Sequence, residues 1–335
     1  MRSLITALIL ALAGTLSCGM MEDFYEYSGK DFKTMIVAEN MQQLYVSYDR
    51  GASFSNLPLN QILFYWHVNP FGEIITIEQD PTNWYVYVTY PDGVKKLVFT
   101  IAYSDITMKA VTADINGDFY FCFYNTIGPE QWLFRIPSGE YFAQPVSQMP
   151  GFGGEEVPDW NLWIVYTNGN RLLFANNTST SALYTSIDGG MTFNAIPSPP
   201  TGTTTGMISD HSAIYAITNE ASNAFYRSID GGNNFIVQAT HVDPSLALAA
   251  SNSGRIFTTT TSRISYSDDS GINWIIGMDL GATMLSSLAT DHTGRLYVLS
   301  ESSGGLVVSD DGGITPIYFN PGFMGIRMQV VEYQD

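Results

Sequence analysis

Short apolar runs punctuated by turn residues recur along the chain. "TADINGDFYFCF", "YTNGNRLLFA", "ASNSGRIFTT" and "ATDHTGRLYVL" each place an apolar stretch, a turn centred on Asn-Gly or Ser/Thr-Gly, and a second apolar stretch. Asn and Gly tolerate positive φ, so this grammar predicts β-hairpins. A third run such as "ALYTS" or "GLVVS" follows, then a Ser-x-Asp turn, then a fourth run such as "TFNAI". The turn itself repeats. "SIDGGMTF" begins at Ser186 and "SIDGGNNF" at Ser228, with further copies at Ser47 ("SYDRGASF"), Ser267 ("SDDSGINW") and Ser309 ("SDDGGITP"). From Ser186 onward the copies are spaced by 42, 39 and 42 residues. The gap between Ser47 and Ser186 holds two further units with weaker motifs, "TYPDGVKKLVF" from Thr89 and "RIPSGEYF" from Arg135.

Four antiparallel strands in each unit of this length make one propeller blade, so seven units predict an all-β, seven-bladed β-propeller over residues 28–335. The first unit, "TMIVAENMQQLYVSYDRGASF", offers only three strands, and the terminal run "GIRMQVVEYQD" has the character of the missing one. A C-terminal strand joining blade 1 closes the ring and removes open sheet edges.

The repeated turn resembles the Asp-box of sialidases, sortilin-type receptors, xyloglucan-degrading hydrolases and a photosystem-assembly propeller. The resemblance implies that Asp49, Asp188, Asp230, Asp269 and Asp311 are structural, each closing a turn between the third and fourth strands of its blade. It also implies that function sits on the opposite face. An Asp side chain accepting backbone amides a few residues on is sufficient reason for the motif.

The N-terminus reads differently from the rest. "MRSLITALILALAGTLSC" has one basic residue, Arg2, an apolar run from Leu4 to Leu16, and then Ser17-Cys18. That run is shorter than a spanning helix needs, and residues 1–18 are expected to be a secretory signal followed by a linker, 19–27. Cys18 resembles the lipidated cysteine of bacterial lipoproteins, although Thr15 and Leu16 depart from the usual residues before it. Ordinary cleavage near "ALA" at 11–13 is the alternative. The expected location is a bacterial cell envelope, with the chain lipid-anchored, or the exterior if it is secreted. The other cysteine, Cys122 in "FYFCFYN", reads as a small buried hydrophobe.

Composition narrows the partners. The chain of 335 residues has 14 basic against 32 acidic residues, a net charge of −18. Such a surface repels polyanions, which argues against nucleic acid and leaves a lipid as the only expected link to a membrane. No metal-ligand spacing, GxSxG elbow or phosphate loop occurs, and no cofactor or metal is expected. "FRIP" at 134–137 resembles the sialidase tetrapeptide whose arginine binds substrate carboxylate. Here Arg135 precedes a decayed turn, and Arg171, Arg255 and Arg295 follow hairpin turns on the Ser-x-Asp face. "DINGD" at 114–118 aligns with those hairpin turns too, and lacks a calcium loop's closing glutamate.

Candidate binding residues fall in loops of the other face. "EQDPTNW", "NTIGPEQW" and "MPGFGGEEVPDW" bring Trp84, Trp132 and Trp160 near Glu78, Asp80, Glu130, Glu155, Glu156 and Asp159. Exposed aromatics beside carboxylates suit a protein or glycan contact surface; the same tryptophans also suit a role as loop anchors. The reading that follows is a monomeric, non-enzymatic binding or assembly scaffold whose partner is an envelope protein or glycan. A glycan-active hydrolase, sialidase-like or using a carboxylate pair, is the alternative.

Overall fold

The computed structural model describes residues 33–333 except 41, 103–105, 126–130, 149–159, 168–169, 178–180, 210–212, 219–223, 241–246, 252–253, 261, 282–284, 292, 301–304, 320, 322, 324 and 326. The described strands form seven four-stranded antiparallel sheets, each one blade of a β-propeller. Blade 1 contains β1 (Lys33–Asn40), β2 (Gln43–Ser47) and β3 (Ser55–Leu57). Blade 2 contains β4 (Ile62–Val68), β5 (Ile74–Gln79), β6 (Asn83–Thr89) and β7 (Lys95–Ala102). Blade 3 contains β8 (Ile106–Ala113), β9 (Phe119–Asn125), β10 (Gln131–Ile136) and β11 (Gln144–Gln148). Blade 4 contains β12 (Trp160–Thr167), β13 (Asn170–Asn177), β14 (Ala182–Ser186) and β15 (Asn194–Ala195). Blade 5 contains β16 (Thr204–Ser209), β17 (Ile214–Thr218), β18 (Ala224–Ser228) and β19 (Ile236–Thr240). Blade 6 contains β20 (Ala247–Ala250), β21 (Ile256–Thr259), β22 (Arg263–Ser267) and β23 (Ile275–Asp279). Blade 7 contains β24 (Leu285–Thr290), β25 (Leu296–Ser300), β26 (Leu306–Ser309) and β27 (Ile317–Phe319).

The fourth strand of blade 1 comes from the other end of the chain, as expected. β28 (Arg327–Tyr333) pairs antiparallel with β1, Lys33 facing Tyr333 and Glu39 facing Arg327. It becomes the innermost strand of its blade and touches both β24 and β4, so the inner strands run round in an unbroken ring.

The apolar side chains sort by alternation into the seams between blades. On β9, Phe119, Phe121 and Phe123 face blade 2, whereas Tyr120 and Cys122 face blade 4. Ile36 and Ala38 of β1 pack on blade 7, and Met35 and Val37 on blade 2. Both faces of a blade are thus buried, which is why "FYFCFYN" and "TMIVA" read as continuous apolar runs rather than alternating ones. A chain of such seams has no single centre; each blade's core is completed by its neighbours.

The seam that β28 closes also holds a polar group of its own. Trp66 of β4 donates its indole N–H to Glu39 Oε2 at 2.6 Å. The Arg327 guanidinium stands 5.0 Å from the same indole ring. His67 makes a 2.9 Å hydrogen bond to the Val68 carbonyl through Nδ1. Burial, with Arg327 nearby, lowers its imidazole pKa to about 3.

Candidate functional site

Because every blade meanders, its 1–2 and 3–4 turns lie on one face of the ring, and its 2–3 loop and outgoing connection lie on the other. The first face is built by the repeated turns. In five blades a serine that is at most 1% exposed (Ser47, Ser186, Ser228, Ser267, Ser309) accepts the amide of the glycine four residues on, at 2.8–2.9 Å. Its hydroxyl donates to the turn Asp (Asp49, Asp188, Asp230, Asp269, Asp311) at 2.7–2.8 Å. The same carboxylate oxygen receives the amide of the fourth residue beyond it, at 2.8–3.0 Å. Asp269 is held at about 2 by the Asn273 amide, the Asn273 side chain and the Ser267 hydroxyl. These carboxylates are occupied within their own turns.

The turn glycine is set against the preceding blade. A Cβ on Gly271, whose φ is +86°, would run into the Phe225 ring, and one on Gly232 into Phe174. Arginines fasten the same face. Arg255 grips Asp268 through Nε at 2.6 Å and Nη2 at 3.0 Å, and Nη1 reaches the Gly312 carbonyl of blade 7 at 3.0 Å. Arg295 pairs with Asp310 through Nε. Arg135 of "FRIP" donates Nε to Asp118 at 2.6 Å, and Asp118 also accepts the Ser138 amide at 2.8 Å. "DINGD" is a hairpin turn, the amides of Asn116 and Asp118 both closing on Asp114 Oδ1. The side chain of Arg171 lies outside the described residues.

Where the Ser-x-Asp pattern is lost, in blades 2 and 3, another packing takes over. Lys96 Nζ sits 3.6 Å from the Tyr141 ring centroid and 5.2 Å from that of Tyr90. With Tyr333, Pro91, Asp92 and Val94 these side chains line a cleft of about 480 Å³. Burial raises the Tyr90 hydroxyl to about 12.

On the opposite face the structure corrects two expected contact residues, Trp84 and Glu78. Trp84 is 3% exposed: its indole donates to the Ile106 carbonyl of blade 3 at 2.9 Å, and its ring meets Phe64 edge-on at 4.9 Å. It anchors its loop between blades and offers no surface. Trp132 is half-buried and packs against the same seam. Trp160 opens β12, but its side chain, like Glu130, Glu155, Glu156 and Asp159, lies outside the described residues. Glu78 is fully buried and accepts Lys95 Nζ at 2.6 Å and the amides of Asn60 and Gln61 at 2.8 and 2.9 Å, pinning the blade 1–blade 2 connection. Asp80 closes its own loop, taking the Thr82 amide at 2.7 Å and the Tyr85 hydroxyl at 2.8 Å. Among the described residues, two exposed apolar side chains here were not singled out from the sequence. Ile62 and Phe64, at the near end of the innermost strand β4, are 51% and 44% exposed.

No family model matches the chain, and no curated relative matches it. Solved structures do. A protein from Lactobacillus plantarum aligns at a TM-score of 0.63 with 9% identity, covering 90% of this chain and all of that one. A chain of the mitotic checkpoint complex aligns at 0.58 with 13% identity over 77% of this chain and 80% of that one. Virginiamycin B lyase from Staphylococcus aureus aligns at 0.54 with 12% identity over 80% and 96%. At these identities the likeness is one of fold, and that fold serves an enzyme and a member of a protein complex alike.

Proposed function

We propose that the chain is a non-enzymatic binding scaffold of a bacterial envelope, a monomer held there by a lipid on Cys18. It engages an envelope protein through the face opposite the Ser-x-Asp turns. One observation carries this reading. On that face Ile62 and Phe64, at the near end of the innermost strand β4, stand exposed and are backed by the buried Trp84, while the nearby carboxylates Glu78 and Asp80 are tied into loop structure. An exposed aliphatic and an exposed aromatic on a rigid strand suit a protein contact. Trp132, Trp160, Glu130, Glu155, Glu156 and Asp159, singled out from the sequence, are proposed to extend this surface. Likeness of fold to a subunit of a multiprotein complex is in keeping with this use.

The test is affinity capture from envelope extract with the chain lacking residues 1–18. One enriched protein is expected, and its recovery should fall at least about tenfold with Ile62→Ser/Phe64→Ser, substitutions at exposed positions that leave the fold intact. Hydrolysis of a glycan library, abolished by substituting Glu130, Glu155 or Asp159, would instead establish the hydrolase.

A further inference from the structure

The face that carries the Ser-x-Asp turns has an apolar rim. In every blade the 3–4 turn leaves at least one large apolar side chain standing in solvent: Tyr48, Val94, Tyr141, Ile187, Ile229, Ile272 and Ile314, between 45% and 73% exposed, with Phe142 and Met191 as second ones in blades 3 and 4. Single exposed hydrophobics are ordinary, but at least one per blade at the same turn is a pattern. In blades 1, 4 and 5 the residue is the x of Ser-x-Asp, and in blades 6 and 7 it follows the glycine. In blades 1, 4, 5, 6 and 7 the turns hold these side chains outward, since the Ser and Asp beside them are bonded inward.

We propose that this rim rests on a lipid bilayer of neutral headgroups, seating the propeller with its Ser-x-Asp face against the membrane. Three observations choose lipid over a protein or a second copy. The exposed apolar groups are spread over all seven blades among polar turn residues rather than gathered on one or two blades, as the anchors of a protein interface would be. A fluid apolar phase accepts isolated side chains that lie at one level. The chain also enters the fold on this face, because Lys33 at the start of β1 lies opposite Tyr333 at the end of β28. Ahead of Lys33 only 14 residues separate it from Cys18, a span of at most about 50 Å, so a lipid there keeps this face near the bilayer. The net charge of −18 selects neutral over anionic headgroups. The orientation rests on the lipid tether proposed above and adds to it which way the scaffold faces.

The experiment separates the two. The ring of strands is complete within Lys33–Tyr333, so the chain from Cys18 onward keeps the whole propeller. Its Cys18 thiol is coupled to a maleimide phospholipid in phosphatidylcholine vesicles; Cys122, 1% exposed, is protected from the reagent. A photoreactive benzoylphenylalanine replaces Ile187 or Ile229 in two variants and Thr82, in the β5–β6 loop of the other face, in a third. On irradiation, phospholipid adducts at 187 and 229 should exceed those at 82 by at least about fivefold. Adding Tyr48→Ser/Ile272→Ser/Ile314→Ser to the 187 variant should lower its yield by a similar factor. Equal yields on the two faces, or adducts at 187 to a second copy of the chain, would overturn the orientation. Because this tether is made chemically, the cellular anchor is read separately, from the membrane fraction of the full chain and its Cys18→Ala variant.

Discussion

Five serines, each at most 1% exposed, use one oxygen as both donor and acceptor, and this explains much of the residue choice in the turns. The hydroxyl takes up a glycine amide that would otherwise be buried without a partner, and returns its proton to the Asp that shapes the loop. That Asp accordingly belongs to the fold, as its place in the motif suggested. His67 shows the opposite situation, a titratable group whose neutral form the fold requires. Burial and Arg327 take its pKa from 6.5 to about 3, so the folded protein binds this proton less readily than the unfolded chain. Its contribution to stability is therefore complete above about pH 6.5 and is lost as pH falls toward about 3, at up to about 1.4 kcal/mol per pH unit. Urea unfolding midpoints measured across that window should fall more steeply for the native chain than for His67→Asn. Equal slopes would mean that His67 is not the group responsible.

Within a blade the 3–4 turn does two jobs, closing a hairpin and wedging against the neighbour. Gly271 serves both, so Gly271→Ala combines backbone strain with a collision against Phe225 and should cost about 3 kcal/mol. Gly93, with φ +83° and open space where a Cβ would go, carries only the backbone part, and Gly93→Ala should cost about 1 kcal/mol. Comparing the two denaturation curves checks the difference. The repeat, the number of blades and the role of the terminal strand were legible because turn chemistry recurs at a fixed period. What a given aromatic faces was not. Ile62 to Trp66 and Trp84 to Val88 are apolar or aromatic at every position, so nothing in the residue types marks Trp84 as inward or Phe64 as outward. The substitute fastening of Lys96 on Tyr90 and Tyr141 was hidden for another reason: it joins turns of adjacent blades about 45 residues apart, with no shared motif.

At the scale of the molecule, stability depends on a ring closed without a covalent link, by the pairing of β28 with β1 and the packing of Met328 and Tyr333 into the neighbouring seams. A chain stopped after Asn320 lacks β28, leaving β1 an open edge and blades 7 and 2 without the strand between them. It should lose its single cooperative unfolding transition and elute as oligomers, since an unpaired edge recruits other strands. The peptide GIRMQVVEYQD, residues 325–335, added in trans should restore a monomer by supplying that strand. Closure from the far end also has a consequence in time. The strand that β1 needs is made 294 residues after it, about 15–60 s later at ordinary elongation rates. Until then the first blade cannot lock and the ring cannot shut. For the exported chain proposed above, that delay would keep the propeller open while it is threaded, because ring closure waits for β28.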